Sequence, residues 1–366
     1  MRIGVNALYL IPGGVGGTET YLRALLAALA EIDSTNEYLI FTNRETGADL
    51  VPQCPNFHCE PQGVRAVNRV ARLLWEQTML PAAAMRRRID VMFNPGFTSP
   101  LVSGCPQVTV FHDLQHKRHP EYFRWFDLPA WNFFLYGSAR VARAVLADSN
   151  ATAADLQRYY GLGAPKVVTV PLGVGQEFFA VAARRRPEPF LLAVSTLHPH
   201  KNLDGLLRAF ALFRKSRPGY RLVVCGLHGF FTEQLQALRT ELELGDSVTF
   251  PGWIPKQELL DFYARAMAFV YPSRFEGFGL PVLEAMAAGV PSACSRVEPL
   301  DSIAGAAALK FDPGEPGEIA ACLERLVEDA ALRATLAAAG PARAATFTWR
   351  ATAAATLDVL VAAGRR

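Results

Sequence analysis

Residues 268–284 read AFVYPSRFEGFGLPVLE, an apolar run followed by a glycine-rich turn and the start of a helix. The run AFVYPS has the aromatic and β-branched content that is typical of a strand. Pro281 suits the first turn of a helix, where its missing N–H needs no partner. Residues 277–280 would then present free amides at the positive end of that helix. A strand, a turn and a helix in this order form the unit of a parallel α/β sheet, which binds ligands at the carboxyl ends of its strands.

The same alternation of short apolar runs and Ala/Leu-rich helical segments continues along almost the whole chain of 366 residues. It predicts strands at 3–7, 38–42, 91–94, 108–111, 144–147, 167–170, 191–195, 222–225, 248–250, 268–271 and 292–294. Between the two sets, PLGVGQEFFAVAARRRPEPF at 171–190 has no clear period and is rich in Gly, Pro and Arg. We therefore predict an α/β protein with two doubly wound domains. Their predicted bounds are 1–175 for the first domain, 176–189 for a linker, 190–346 for the second domain and 347–366 for a helix that packs back on the first.

Composition excludes several classes of protein. The chain carries 37 Lys and Arg against 34 Asp and Glu, a formal net charge of +3, so its charge does not predict a nucleic-acid partner,. The six cysteines form no C-x-x-C pair, which indicates neither a disulfide framework nor a zinc site,. The first residues lack the pattern of a secretory signal, and later apolar runs are too short to span a membrane. A cytoplasmic protein is expected.

Two acidic side chains and one lysine lie near predicted carboxyl ends of strands, with Glu276 just before the helix at Pro281 and Glu284 within its first turn. Glu276 and Glu284 flank the glycine-rich turn and would repel a phosphate bound there, so we expect them to face hydroxyl groups of a sugar or ribose. Lys201 follows the strand at 191–195, just before Asn202, which is a plausible N-cap. A lysine at a helix start opposes the helix dipole and therefore hints at a bound phosphate. The alternative is a solvated surface lysine.

Two loops of the first domain have the same placement. Gly16 and Gly17 lie in the sequence PGGVGG, with Thr18 as a candidate helix cap; a tight turn without a ligand is the alternative,. This loop is neither a dinucleotide fingerprint nor a phosphate-binding P-loop. His112 and Asp113 follow the strand at 108–111, where a histidine can exchange protons near neutral pH. A purely structural His–Asp hydrogen bond is the alternative.

With these motifs the chain resembles retaining nucleotide-sugar glycosyltransferases of the GT-B type, family 4, in which two Rossmann-like domains face each other across a cleft. The resemblance is carried by EGFGLPVLEAMAAGVP at 276–291, PHKN at 199–202, PGGVGG at 12–17, His112–Asp113 and VTFPGWIPKQELLDFYARA at 248–266. It extends from Met1 to about Trp349. It implies three catalytic residues, His112, Lys201 and Glu276. It implies a donor-binding set of Gly16, Gly17, Thr196, Lys201, Gly252, Trp253, Ile254, Arg274, Glu276, Gly277, Phe278, Gly279, Leu280 and Glu284.

The resemblance also implies a role for each group. Glu276 and His112 would contact the transferred sugar, and Glu284 the ribose hydroxyls. Lys201 and the turn amides would neutralise the donor diphosphate, and residues 252–254 would meet the base. The donor would lie between an N-terminal acceptor domain and a C-terminal donor domain.

One position departs from the family pattern. Thr196 stands where many members carry an arginine, and Arg274 and His200 are the two candidates to supply that charge instead. No Asp-x-Asp motif is visible, which is consistent with a transferase that needs neither a metal nor a cofactor,. No enzymic nucleophile is evident, so front-face attack by the acceptor, with the leaving phosphate as base, is the mechanism implied.

The resemblance to bacterial polysaccharide-building enzymes makes mannose from GDP-mannose the first candidate donor, with UDP-sugars next, and a glycan or lipid-linked molecule the acceptor. Segment 64–93 carries Arg65, Arg69, Arg72, Arg86, Arg87 and Arg88. Such a basic face could dock on the inner face of the cytoplasmic membrane. The alternative is a solvated helix face over a core of Leu73, Leu74 and Trp75. Two other functions stay open: a nucleotide-sugar epimerase, which needs no acceptor, and a non-catalytic nucleotide-sugar binding protein.

Overall fold

The computed structural model describes residues 1–365, and these divide into two compact units. The first comprises Met1–Gly173 together with the C-terminal segment that begins at Trp349, and the second comprises Val174–Thr348. Each unit contains one parallel sheet flanked by helices. The predicted pair of doubly wound α/β domains is thus confirmed. No helix within residues 1–365 combines the length and hydropathy that a membrane span requires.

The sheet of the first unit contains the six strands predicted between residues 3 and 170 and one strand that was not predicted, β3 (Phe57–Pro61). Its strands are β1 (Arg2–Ala7), β2 (Glu37–Thr42), β3 (Phe57–Pro61), β4 (Val91–Asn94), β5 (Gln107–Phe111), β6 (Ala144–Ala147) and β7 (Val167–Thr169). The helices are α1 (Gly17–Ile32), α2 (Arg69–Arg87), α3 (Gln115–Arg118), α4 (Leu128–Val141) and α5 (Asn150–Tyr160). The strand order is β3-β2-β1-β4-β5-β6-β7, and every pair is parallel. The order changes direction between β1 and β4, so the crevice of this sheet opens beside the loops that follow those two strands.

The second unit repeats the plan. Its strands are β8 (Glu188–Val194), β9 (Arg221–Cys225), β10 (Val248–Gly252), β11 (Ala266–Tyr271), β12 (Ser292–Ser295) and β13 (Leu309–Phe311). They are arranged β10-β9-β8-β11-β12-β13, again all parallel. The direction changes between β8 and β11. The loops that follow these two strands, one carrying Lys201 and the other Glu276, therefore start side by side.

The helices of the second unit bury apolar faces against this sheet. In chain order after α5 they are α6 (Gln176–Ala182), α7 (Leu203–Ser216), α8 (Thr232–Glu241), α9 (Lys256–Arg265), α10 (Leu280–Ala287), α11 (Leu300–Ala304), α12 (Pro316–Glu328) and α13 (Ala330–Ala344). The predicted apolar face of α7 is confirmed, because Leu203, Leu206, Leu207 and Phe210 are fully buried in one core cluster. Strand β11 is covered on both faces, as expected for a parallel sheet with helices on each side,.

The structure differs from the sequence prediction in three places. Two edge strands were not predicted. Strand β3 is only half-buried and ends in a proline, and strand β13 has only three residues,. The predicted linker at 176–189 contains α6, whose Phe178 and Val181 are buried; flanking Gly and Arg hide its short apolar face in the sequence. The remaining strands agree with prediction to within three residues at either end.

The last helix, α14 (Trp349–Gly364), belongs to the first unit although it follows the second in the chain. Its Thr352 hydroxyl donates a hydrogen bond to the Pro171 carbonyl at 2.7 Å, and the Trp349 ring lies 6.1 Å from the ring of Tyr21 on α1. The chain therefore returns to the first sheet after completing the second.

Candidate functional site

The loops after β8 and β11 bring Lys201 and Glu276 together. The Lys201 ammonium donates to Glu276 Oε1 at 2.7 Å and to the Tyr271 hydroxyl at 3.2 Å. Both charged side chains are largely buried, with 14% and 10% of their surface exposed. A buried pair of this kind gains less than its Coulomb attraction suggests, because both ions lose their hydration. The lysine is therefore not a solvated surface residue but one member of a buried, oriented ion pair.

Asn202 fixes the geometry of this loop. It lies at the N-cap position of α7, but its backbone is left-handed, with φ of 53°, and its side chain makes no capping bond, so the predicted capping role is wrong. The side-chain amide instead donates to the carbonyls of Pro272 and Pro313, at 3.0 and 2.7 Å. It thereby ties the loop after β8 to the loop after β11. The Arg274 amide adds a second tie by donating to the His200 carbonyl at 2.8 Å.

The glycine-rich turn at residues 277–280 is shaped by Gly279. Its φ is +116°, which side-chain-bearing residues rarely adopt, and a Cβ there would lie 2.3 Å from Leu300 Cδ2,. Helix α10 starts directly after it, with Pro281 as its second residue. Among residues 1–365, no acceptor is found for the backbone N–H groups of Phe278, Gly279 and Leu280. These three donors lie at a positive helix end, the usual arrangement for binding an anion.

Glu284 lies further along α10 than predicted, in its second turn, and accepts a hydrogen bond from the Tyr263 hydroxyl at 3.2 Å. Burial raises the pKa of Glu284 to about 7, while the Tyr263 hydroxyl and the charge of Lys256 oppose that rise. The carboxyl group is therefore only partly ionised at neutral pH.

The Glu284→Gln variant is expected to be more stable than the wild type above pH 7. Because the pKa of Glu284 in the folded state is above the ordinary value of 4.5, folding retains a proton that the unfolded chain releases, and the free energy of unfolding falls as pH rises from 4.5 to 7,. Glutamine removes this loss, which amounts to about 1–3 kcal/mol. Thermal denaturation at pH 5.5 and 8.5 measures it. Glu233→Gln, at an exposed helix position, is the control; an equal effect of Glu284→Gln at both pH values would contradict this account.

The remaining predicted donor-binding positions of the second unit lie in loops of the same sheet edge. Thr196 follows β8, and its carbonyl accepts from the His198 amide at 2.9 Å. Arg274, after β11, has an exposed side chain. Gly252 ends β10 with φ of +80°, and the following Trp253 is 60% exposed while Ile254 is half-buried. Strand β10 is two strands away from β8, so these residues do not join the Lys201 cluster.

His112, at the end of β5, pairs with a carboxylate that the sequence prediction missed. Its Nδ1 lies 2.7 Å from Asp148 Oδ2, and its Nε2 lies 2.9 Å from the Pro95 carbonyl oxygen. Asp113, which follows His112 in the chain, is not one of these two ring partners, although its charge also acts on the ring. Asp148 directly follows β6, the neighbouring strand, and could have been found by its equivalent placement. Burial lowers the pKa of His112, but the charge and hydrogen bond of Asp148 outweigh burial and the pKa is raised. Both ring partners only accept, so a doubly protonated ring satisfies both.

The glycine loop after β1 is held by hydrogen bonds within the loop and to the first turn of α1. Helix α1 begins at Gly17, with Gly16 as its N-cap at a positive φ of 58°. Thr18 does not cap the helix; its hydroxyl donates to the Val15 carbonyl instead. The Glu19 carboxylate accepts from the Gly13 amide at 2.7 Å. A Cβ at Gly16 or Gly17 would meet nothing within 4 Å, so the backbone of this loop is open to approach.

The basic segment at 64–93 is less charged than its sequence suggests. Three of its arginines pair with carboxylates: Arg65 with Glu45, Arg69 with Asp127 and Arg87 with Glu60. Arg86 and Arg88 are exposed. The placement of Leu74 in the core is wrong, because its side chain is 61% exposed.

Two protein-family models match the chain. Residues 15–178 match the model described as Glycosyltransferase Family 4, and residues 175–343 match the model described as Glycosyl transferases group 1. Together they extend over both structural units.

Several relatives are similar in sequence. The O-antigen chain mannosyltransferase B of Escherichia coli is 32% identical over 66% of this chain and 66% of its own length. The D-inositol 3-phosphate glycosyltransferase of Acidothermus cellulolyticus is 31% identical over 95% of this chain and 87% of its own length. The chain spans only 32% of the serotype-specific mannosyltransferase WbdA of E. coli, at 28% identity.

Solved structures share the fold at lower identity. Sucrose-phosphate synthase from Thermosynechococcus elongatus superposes with a TM-score of 0.79 and 22% identity, covering 98% of each chain. HepE of Anabaena, solved with UDP and glucose, gives a TM-score of 0.76 and 19% identity over 99% of each chain. Both likenesses show the GT-B fold of two Rossmann-like domains.

Proposed function

Because the chain belongs to glycosyltransferase family 4, we propose that it transfers a hexosyl group from a nucleotide sugar to a glycan or lipid-linked acceptor in polysaccharide synthesis. Mannose from GDP-mannose is the first candidate, since two of the similar proteins are named mannosyltransferases. The observation that carries the proposal is the buried Lys201–Glu276 pair beside three unpartnered amides at the start of α10. This places a cation and N–H donors where a diphosphate could bind.

The second unit supplies the donor contacts in this proposal. The diphosphate accepts from Lys201 and from the amides of residues 278–280. Glu276 accepts from hydroxyls of the transferred sugar and Glu284 from the ribose, while residues 252–254 meet the base. Arg274, exposed and tied through its backbone to the Lys201 loop, is a candidate for the charge that Thr196 does not carry.

The first unit supplies His112 in this proposal. Asp148 acts as a positioning residue that keeps the ring protonated, and a hydroxyl of the sugar competes with the Pro95 carbonyl for the proton on Nε2. The donor's position between the two domains, with Gly16 and Gly17 on its far side, stays a prediction.

Transfer then proceeds with retention of the anomeric configuration. The bond between the anomeric carbon and the diphosphate oxygen breaks, and its electron pair leaves with the nucleoside diphosphate. The acceptor hydroxyl attacks the same face, and its proton passes to the leaving phosphate. Lys201 and the helix amides stabilise the negative charge that develops on the leaving group, without a metal ion.

A thermal-shift panel of nucleoside diphosphates tests the donor class. GDP is expected to raise the melting temperature more than UDP or ADP, because GDP-mannose is the proposed donor. A ligand that binds only the folded state stabilises it by about 2.7 kcal/mol at a hundred times its Kd. A larger rise in melting temperature with UDP would mean that the donor is a UDP-sugar and not GDP-mannose. No shift with any of them would contradict nucleotide-sugar binding.

Incubation of GDP-mannose with and without a lipid extract then separates transfer from epimerisation, which needs no acceptor.

Peripheral membrane contact forms a further part of the proposal. Its support is the exposed apolar residues Val70 and Leu74 in the first two turns of α2 and the exposed Arg86 and Arg88 at the other end of the same helix. Apolar side chains can enter the headgroup region while arginines meet anionic lipid.

A further inference from the structure

A pocket between α2 and α4 in the first unit is not used by the donor contacts above. It is a shallow depression that is open to solvent, and its lining residues are Arg69, Arg72, Leu73, Thr98, Ala130, Trp131, Phe134 and Leu135. Thr98 lies in the loop after β4, one of the two strands that flank the point where the strand order changes direction. Ligands of doubly wound sheets bind near such points.

Arg72 gives this pocket a positive charge, which the charge of Glu76 offsets from a distance but which no direct contact within residues 1–365 neutralises. Within residues 1–365 its guanidinium has no hydrogen-bond acceptor and no carboxylate within ion-pair distance. Glu76, one turn further along α2, is fully buried and is already satisfied by neutral donors: Asn6 at 3.3 Å, Thr98 at 3.1 Å and Gln77 at 3.4 Å. A half-buried arginine without a direct partner is costly, so its charge is available to a ligand.

Arg69, the second arginine of the pocket, is held by an aromatic ring and a carboxylate. The guanidinium carbon of Arg69 lies 4.3 Å from the centre of the Trp131 ring, and the same group pairs with Asp127 at 3.8 Å. Stacking on an aromatic ring leaves the edge of a guanidinium free to donate hydrogen bonds. Arg69 and Arg72 lie three residues apart on α2 and thus on the same face. Two forked donors on one wall suit a phosphate group.

An exposed apolar surface adjoins the pocket. Val70 and Leu74 of α2 are 69% and 61% exposed, and Phe133 of α4 is 63% exposed. Trp125 and Phe126, just before α4, are also exposed, and the Arg69–Asp127 pair brings that segment to α2. Exposed apolar groups on the helices that line a charged pocket are typical of a binding surface for an amphipathic molecule.

We propose that this pocket binds the phosphate group of a lipid-linked acceptor, with Arg72 and Arg69 as the phosphate ligands and the adjoining apolar surface holding the start of the lipid chain. The inference rests on the proposed acceptor class, but it can fail while sugar transfer to an unphosphorylated glycan still holds. Its test therefore measures binding without donor and without turnover.

Isothermal titration calorimetry measures the affinity for farnesyl phosphate, used below its aggregation limit. Farnesol and inorganic phosphate, which each carry only one part of that molecule, are the comparison ligands. Farnesyl phosphate is expected to bind the wild type at least ~10-fold more tightly than either comparison ligand, because charge and apolar contacts act together. Arg72→Met should weaken its binding by ~10-fold or more, as expected for loss of a charge-assisted hydrogen bond. Arg143→Met, at an exposed position just before β6, removes the same charge outside the pocket and should leave the affinity unchanged.

Arg69→Gln provides a second variant should Arg72→Met fail to fold, and it is expected to weaken binding in the same direction. Equal affinity of the wild type and both folded pocket variants would overturn the proposal, as would equal affinity for farnesol. Flotation with phosphatidylglycerol vesicles distinguishes the source of the phosphate. If the pocket variants lose flotation while farnesyl phosphate binds them like the wild type, the site takes a bulk lipid headgroup and the proposal is overturned.

Discussion

Lys201→Ala is expected to lower the rate of sugar transfer by about 10³-fold, as measured by release of nucleoside diphosphate from the donor in the presence of a lipid extract. Lys201 provides the ammonium group beside the unpartnered amides of α10, and the leaving diphosphate gains negative charge as its bond to the sugar breaks. An oriented cation in a site that excludes water stabilises this charge more than solvent can.

The fold should survive this substitution. The Glu276 carboxylate would lose its 2.7 Å partner but can take up a proton, so we expect a stability loss of about 1–3 kcal/mol rather than unfolding,. Lys215→Ala, which removes an exposed lysine from the last turn of α7, is the control for loss of positive charge. Full transfer activity in a folded Lys201→Ala protein would refute the assigned role.

Glu276→Gln is expected to change binding and transfer in opposite directions. Without donor, the Glu276 carboxylate occupies the lysine ammonium that the diphosphate is proposed to use, and its charge would repel a diphosphate nearby,. Neutralising it should raise the affinity for GDP by about 10-fold. The rate of transfer should fall by about 10²-fold, because the amide replaces a charged acceptor for sugar hydroxyls by a weaker one.

Calorimetric titration with GDP and the transfer assay measure the two halves of this prediction. Glu233→Gln, on α8, is the control and should change neither. If Glu276→Gln weakened GDP binding as much as transfer, the carboxylate would be a structural support of the loop and not a contact for the sugar.

The fold could be predicted from the sequence because its signals are local. Each β–turn–α unit carries an apolar run and a helical period, and the turn before Pro281 has its glycines where the backbone needs them. Short edge elements could not be predicted. Strand β13 has too few residues to show a period, and α6 has only two buried side chains.

The candidate site could be predicted only as separate loops. Lys201 and Glu276 are 75 positions apart, and their contact depends on β8 lying next to β11, an order that no local pattern specifies. The same holds for Asp148, which reaches His112 because β6 pairs with β5. Asn202 was interpreted as a helix cap from its residue type, whereas its left-handed backbone points its side chain to carbonyls of two other loops.

The most direct test of the central claim is a crystal structure of the protein with GDP. The account predicts an oxygen of the terminal phosphate within about 3 Å of the Lys201 ammonium and others at the amides of residues 278–280. A diphosphate bound away from both groups, with the Lys201–Glu276 pair unchanged, would contradict it.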